Sequence, residues 1–158
     1  MDPIAAPSLA QLINRNSRAL ARDGDAALKP LGLRYAQVPV LALLREDVEL
    51  TQKELAEATG IEQPSMAQLL TRMDRDGLIR RMPHPRDARS QTIALSPEGR
   101  AQVIDAHDRL AALDNRAVAG FTTDEIAILK DLLTRVGNNL DRTKGTATDG
   151  AAAPRSDG

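Results

Sequence analysis

The sequence predicts a mainly α-helical domain that carries one small β-hairpin. Apolar residues, chiefly Leu, Ile, Val, Ala and Met, recur at helical spacing along most of the chain. Two segments, TQKE and TTDE, have the pattern of a capping box, which marks the start of a helix. Between Gly77 and Ser96, the segments LIRRM and TIAL are two strand candidates short enough to pair as a hairpin.

Length and composition favour one compact domain. The chain has 158 residues, of which 42% are hydrophobic and 27% charged, with a formal net charge of −1. Any binding of a polyanion therefore depends on a local concentration of charge. The absence of cysteine excludes disulfides, zinc held by thiolates and thiol-based redox sensing. Because the sequence contains neither a membrane-spanning apolar run nor the pattern of a signal peptide, we expect a cytoplasmic protein without membrane contact.

Two helical segments are predicted before residue 50. The first extends from Ser8 to Lys29, where KPLG stops the apolar spacing, with Gly24 as a weak point. The second covers residues 34–46 and is so uniformly apolar that we expect it to lie deep in the core. Pro39 is tolerable in this helix only near the first turn.

Two short helices joined by a tight turn follow. Thr51 is the predicted N-cap of the first, with Glu54 three residues later, and Gly60 is its left-handed stop. The second has Pro64 in its first turn and ends at Gly77. Its predicted inward-facing residues are Met66, Leu69, Leu70 and Met73.

The hairpin is predicted to have a long, arginine-rich loop between strands at residues 78–82 and 92–95. Residues 78–91 contain four arginines and one acid, Asp87, a local surplus of +3 in a chain whose total is −1. Pro83 and Pro85 restrict the loop, which lowers the entropy lost when it is ordered. The arginines are Arg80, Arg81, Arg86 and Arg89.

The C-terminal third is predicted to form two more helices and a tail. Ser96 caps a helix that lasts to about Gly120, and the capping box from Thr122 to Glu125 opens a helix that ends near Asp141. The segment from residue 142 is small and polar, so we expect it to be disordered. The predicted divisions are 1–33, an N-terminal helix; 34–95, the short helices and hairpin; 96–141, C-terminal helices; and 142–158, the tail.

The order helix, tight turn, helix, hairpin is that of a winged helix-turn-helix. In such a module the second short helix lies in the major groove of DNA, and the hairpin reaches the neighbouring backbone or minor groove. With the apolar face committed to the core, Ser65, Gln68, Arg72 and Arg75 point outward. These residue types suit hydrogen bonds to base edges and phosphates.

The hairpin and the short helices resemble the MarR family of bacterial transcription regulators. The segment DARSQTIALSPEG is similar to that family's wing pattern, with matching positions at Asp87, Arg89, Ile93, Leu95, Ser96 and Gly99. LTQKELAEATGI and LLTRMDRDGLIRR resemble its helix-turn-helix. The resemblance implies a homodimer with intertwined N- and C-terminal dimerisation helices and one winged module per subunit on a palindromic operator.

The resemblance also implies a set of binding residues. Arg89 is the preferred minor-groove contact and Arg86 the second, with Asp87 supporting the wing. The candidate DNA-binding residues are Thr51, Gln63, Pro64, Ser65, Gln68, Arg72, Arg86 and Arg89. Family members are often repressors released by a small organic, frequently phenolic, effector bound between the dimerisation helices and the DNA-binding lobe. For such an effector the candidate contacts are Arg18 and Tyr35.

Each interpretation has a simpler alternative. The wing arginines could equally form a solvated run of charge, and the outward face of the second short helix could be an ordinary exposed surface. The alternative for Tyr35 is a residue of the core. His84 and His107 have no recognised ligand spacing, so we expect neither a metal nor a cofactor. No pattern for catalysis is present, so an enzyme is not expected. Two function classes remain: a sequence-specific DNA-binding regulator and a winged-helix module for protein interaction.

Overall fold

A computed structural model describes residues 6–146, and it confirms the predicted fold class. The helices are α1 Leu9–Leu28, α2 Val38–Leu43, α3 Gln52–Thr59, α4 Gln63–Arg75, α5 Pro97–Ala117 and α6 Thr123–Thr146. The strands are β1 Leu50–Thr51, β2 Ile79–His84 and β3 Asp87–Leu95, which form one antiparallel sheet in the order β1-β3-β2. None of the described helices is long and apolar enough to cross a membrane.

The chain divides into two compact units. Among the described residues, the first unit extends to Asn115 and contains the sheet, α1 to α4 and most of α5, and the second begins at Arg116 and contains α6. The core of the first unit is aliphatic, as the composition predicts. Its buried residues are Leu28, Leu33, Val40, Leu41, Leu44, Leu55, Ala56, Met66, Leu70, Met73, Leu78, Ile79, Ile93, Leu95 and Ala106. Each large side chain among them contributes about 1.5–3 kcal/mol by leaving water.

The N-terminal helix begins and ends close to the predicted residues. Ser8 caps it, because its hydroxyl accepts the Gln11 N–H at 3.2 Å while the Gln11 side chain accepts the Ser8 N–H at 2.8 Å. Gly24 is a packing site as well as a weak helix former. A Cβ at this position would lie 2.2 Å from Cδ2 of Tyr35, so the close approach of that ring requires glycine.

The predicted helix over residues 34–46 is wrong in its length. A 3-10 turn occupies Tyr35–Gln37, and α2 is only six residues long. Pro39 lies in the first turn of α2, as predicted. The chain leaves the helix at the charged segment that follows Leu44, where Glu46 and Asp47 both have positive φ, 65° and 63°. Two successive residues with positive φ cannot belong to a right-handed helix, so α2 ends before them.

The hairpin corrects the prediction of a long loop. β2 and β3 continue through the predicted loop and meet at a two-residue turn, Pro85 and Arg86. Pro83 is compatible with β2 because β2 lies at the edge of the sheet, and the register shifts between Pro83 and His84. Arg80, Arg81 and Arg89 therefore lie on strands, and Arg86 lies in the turn. We call residues 79–95 the wing.

The C-terminal helix is longer than predicted. α6 continues to Thr146, so the predicted tail boundary at residue 142 is wrong for residues 142–146. The sequence has no proline there to end the helix. The rest of the predicted disordered tail, residues 147–158, lies outside the described residues.

One junction holds the end of α4, the base of the wing and the start of α5 together. Gly77, with φ of 74°, ends the α4 segment. The Ser96 hydroxyl donates to the Gly77 carbonyl at 2.5 Å and accepts the Gly99 N–H at 2.9 Å, while the Ser96 N–H donates to the Leu78 carbonyl at 3.0 Å. A Cβ on Gly99 would lie 2.1 Å from the Leu78 carbonyl oxygen. We call these four residues the Ser96 junction.

Gly99→Ala is expected to lower the free energy of unfolding by about 1–3 kcal/mol, because the added methyl group overlaps a backbone oxygen that cannot rotate away. Chemical denaturation measures the loss. Gly137→Ala is the matched control, since a Cβ there meets no heavy atom within 4 Å. In a helix this control is expected to be neutral or stabilising by up to about 1 kcal/mol. Equal stability of the Gly99→Ala variant and the parent would contradict the packing assigned to the junction.

Candidate nucleic-acid interface

The exposed face of α4 carries five of the predicted binding residues. Met66, Leu70 and Met73 are fully buried, which turns the opposite side of the helix toward solvent. The exposed predicted residues on α4 are Gln63, Pro64, Ser65, Gln68 and Arg72. This arrangement presents amide, hydroxyl and guanidinium groups along one helix. Such groups can form hydrogen bonds with base edges and phosphates.

The start of α3 is held by the predicted capping box. The Thr51 hydroxyl accepts the Glu54 N–H at 3.2 Å, and the Glu54 carboxylate accepts from the Thr51 N–H at 2.7 Å and its hydroxyl at 2.8 Å. These bonds, the backbone one first, lower the pKa of Glu54, and the charge of His84 adds to the effect. The Thr51 side chain is thus engaged in the cap, so any contact with a phosphate is additional to that role.

Two local hydrogen bonds fix the main chain at the tip of the wing. The Arg86 N–H donates to Nδ1 of His84 at 3.1 Å, and the Arg89 N–H donates to Oδ1 of Asp87 at 2.9 Å. Asp87 therefore holds the backbone of Arg89 at the position where the sequence predicts an orienting acid. The side chains of Arg86 and Arg89 are exposed.

The wing and the two short helices enclose an open cleft of about 670 Å³. We call it the wing cleft. Its lining residues are Thr51, Gln52, Lys53, Gln63, Arg81, Ala88, Arg89, Ser90, Gln91 and Ile93. Strand β1 brings these parts together, because Leu50 pairs with Ile93 and Thr51 with Thr92. Three predicted binding residues, Thr51, Gln63 and Arg89, consequently share one concave surface.

The arginines around this surface differ in whether a carboxylate lies close enough to form an ion pair. Arg81 pairs with Asp74 at 3.3 Å and Arg75 with Asp76 at 3.1 Å. Four others have no carboxylate within 4.0 Å among the residues whose side chains the structure describes: Arg72, Arg80, Arg86 and Arg89. Unpaired cations on the wing and α4 produce a local positive potential in a chain with a net charge of −1.

Four polar residues of the wing cleft were not predicted from the sequence: Ser90 and Gln91 on β3, and Gln52 and Lys53 on α3. Gln52 and Lys53 belong to the first turn of α3, directly after the predicted cap Thr51, and this position was the available signal. Their approach to the wing depends on β1, which at two residues is too short to produce a periodic pattern. Nε2 of Gln52 donates to Oε1 of Gln63 at 3.1 Å, a contact that links the starts of the two helices.

The candidate effector residues lie away from the wing cleft. Arg18 is exposed on α1, and Tyr35 is half-buried against Gly24 with its N–H donating to Oδ1 of Asp25 at 2.8 Å. A smaller cleft of about 380 Å³ is lined by Asp25, Ala26, Lys29, Gly32, Leu33 and Arg34, without either candidate. His84 holds the wing turn, and His107 is exposed on α5. Within the described residues, no group of three or more His, Cys, Asp and Glu side chains is placed to hold a metal ion.

Comparison with known proteins finds a family model and several solved structures that this chain resembles. Residues 31–90 match the sequence model described as the MarR family. The structure of a MarR mutant from E. coli complexed with operator DNA has a TM-score of 0.75 and 28% identity, covering 81% of this chain and 92% of that one. A probable transcriptional regulator from Pseudomonas aeruginosa has a TM-score of 0.74 and 25% identity, covering 82% and 96%.

A third structure supports the fold at lower identity. A putative MarR-family transcriptional regulator from Listeria monocytogenes, complexed with a 26mer DNA, has a TM-score of 0.81 and 19% identity over 95% of this chain and 100% of that one. The resemblance predicted from the sequence is therefore confirmed: residues 31–90 match the MarR family model, and the chain has the fold of these winged-helix structures.

Proposed function

From its MarR-family winged-helix lobe, we propose that this chain is a sequence-specific DNA-binding transcription regulator that acts as a homodimer. The observation that carries the proposal is the juxtaposition of the unpaired arginines of the wing with the polar face of α4. Similar proteins from E. coli and Listeria monocytogenes have been solved in complex with DNA. In this chain the exposed face of α4 is the recognition surface, and the wing contacts the adjacent backbone and minor groove.

The two surfaces have different roles. On α4, Ser65 and Gln68 offer short polar groups that recognise base edges in the major groove, and Arg72 contacts guanine or phosphate. On the wing, Arg89 is placed by the Asp87 carboxylate that holds its backbone, and its guanidinium enters the narrow minor groove. Thr51 and Pro64 lie at the starts of the two helices, which approach the phosphates, and Gln63 begins α4 beside the wing cleft.

The dimer follows from an apolar stripe on α6. Five apolar residues repeat at intervals of three and four, the spacing of a coiled-coil seam: Ile126, Leu129, Leu133, Val136 and Leu140. We call them the heptad face. Leu133 is 50% exposed and Leu140 63% exposed in the single chain. A second copy that presents the same face covers both stripes by a two-fold axis.

As regulator, the protein is proposed to be a repressor of palindromic operators that a small organic, often phenolic, effector releases. The dimer axis places one winged module on each half-site, which accounts for a palindrome. Arg18 and Tyr35 remain the candidate effector contacts. The absence of cysteine from the sequence restricts the effector to one that needs no thiol.

Arg89→Ala and Gln68→Ala are expected to weaken DNA binding in different ways. Arg89→Ala removes a minor-groove charge, so operator affinity falls by about 1–3 kcal/mol and the dependence on salt becomes shallower, while the preferred sequence is retained. Gln68→Ala removes a base contact, so affinity for the best site falls while affinity for random duplex is unchanged. Fluorescence anisotropy across a salt titration, with operator obtained by selection from a random pool, measures both effects.

Arg22→Ala is the matched control, because it removes the same charge from an exposed position on α1. It is expected to bind both duplexes as the parent does. If Arg89→Ala and Gln68→Ala also behave like the parent at every salt concentration, this surface does not bind DNA. The winged-helix module would then serve protein interaction instead.

Leu133→Glu is expected to produce a monomer at micromolar concentration, because it buries a charge in the proposed seam. Sedimentation velocity measures the change. Thr134→Glu is the control: the neighbouring residue is exposed on the other side of α6, so this variant is expected to remain a dimer. A monomeric parent, or a Leu133→Glu variant that stays dimeric, would exclude the heptad face as the interface.

A further inference from the structure

Two glutamines form a direct link between the helices of the winged module. Gln52 is the first residue of α3 and Gln63 the first residue of α4. The Nε2 of Gln52 donates to Oε1 of Gln63 at 3.1 Å. Gln52 is half-buried, whereas Gln63 is exposed, and both line the wing cleft beside Arg81 and Arg89.

This hydrogen bond sets the direction in which the Gln63 amide faces while Gln52 presents its amino group. A glutamine head group has an acceptor oxygen on one side and a donor nitrogen on the other, and in solvent it turns freely between the two orientations. Because Gln52 supplies a donor, the oxygen of Gln63 lies toward Gln52. That oxygen retains a second lone pair, and Nε2 retains both hydrogens. The fixed amide consequently offers one acceptor beside one donor.

An acceptor beside a donor complements adenine in the major groove, where the base presents the N6 amino donor and the N7 acceptor. We propose that Gln52 is a positioning residue for Gln63, and that the two together recognise an adenine. The inference rests on the DNA-binding function proposed above, and it adds the base and the residue that selects it. Fixing the amide beforehand reduces the ordering cost of binding and excludes the reversed orientation, which places donor against donor.

The test compares base preferences within each variant, so that changes in overall affinity cancel. Binding sites are first selected from a random duplex pool with the unaltered protein. Gln63→Ala then identifies the base pair at which preference depends on Gln63. There the preference for adenine is expected to fall by roughly 5- to 150-fold, the range that one bidentate pair supplies.

Substitutions at Gln52 separate positioning from simple structural support. Gln52→Glu offers only acceptors, which turn the Gln63 amide round, so the preference for adenine is expected to be lost. Gln52→Lys offers only donors, so the preference is expected to be retained. The double variant with Ala at both positions is expected to be as specific at this base pair as Gln63→Ala alone. If Gln52 only supported the fold, its replacement by Glu and its replacement by Lys would change the preference for adenine in the same way.

Thermal denaturation establishes that each variant is folded. If Gln52→Glu does not fold, Gln52→Met takes its place, because it has similar length without a donor and is expected to weaken the same preference. An unaltered protein that selects no sequence would overturn the proposed DNA-binding function. If the unaltered protein selects a site, two results would overturn the positioning role alone. The first is a Gln63→Ala variant that keeps every base preference of the unaltered protein. The second is an equal preference for adenine in the Gln52→Glu and Gln52→Lys variants.

Discussion

The arrangement of the winged module depends on the Ser96 junction. The Ser96 side chain is bonded at once to the last turn after α4 and to the first turn of α5, and its N–H holds the base of β2. Because Gly99 lies against the Leu78 carbonyl without a side chain between them, α5 begins at a fixed distance from the wing. The direction of the wing relative to α4 is therefore set by backbone contacts that leave little room for adjustment.

Because the wing has a fixed direction relative to α4, the arginine charges on both elements lie at defined positions. The chain as a whole has almost no net charge, and acids neutralise Arg75 and Arg81. What distinguishes the proposed interface is that it combines unpaired arginines of the wing and of α4 with polar groups at the starts of two helices. Cations placed on a rigid surface attract phosphates without a further ordering cost, and the polar groups between them supply the discrimination among bases.

The sequence predicted those features that depend on local chemistry. Each of these features arises from residues close together in the chain. They are the caps at Thr51, Ser96 and Thr122, the left-handed Gly60 and the buried side of α4. The middle of the wing was predicted as a long loop because prolines and charges interrupt the alternation of a strand, whereas an edge strand tolerates them. The contact between Gln52 and Gln63 was not predicted, since it depends on how the turn between α3 and α4 places the starts of the two helices.

The most direct test of DNA binding by the winged module is a nuclear magnetic resonance titration of the uniformly ¹⁵N-labelled protein with a duplex that carries its selected site. We expect the largest amide shifts at residues 51–53, at residues 63–72 and at the wing tip, where the helix starts, the polar face of α4 and the arginines lie. Shifts confined to α1 and α6, with the wing tip and the start of α4 unchanged by saturating duplex, would contradict DNA binding by this surface.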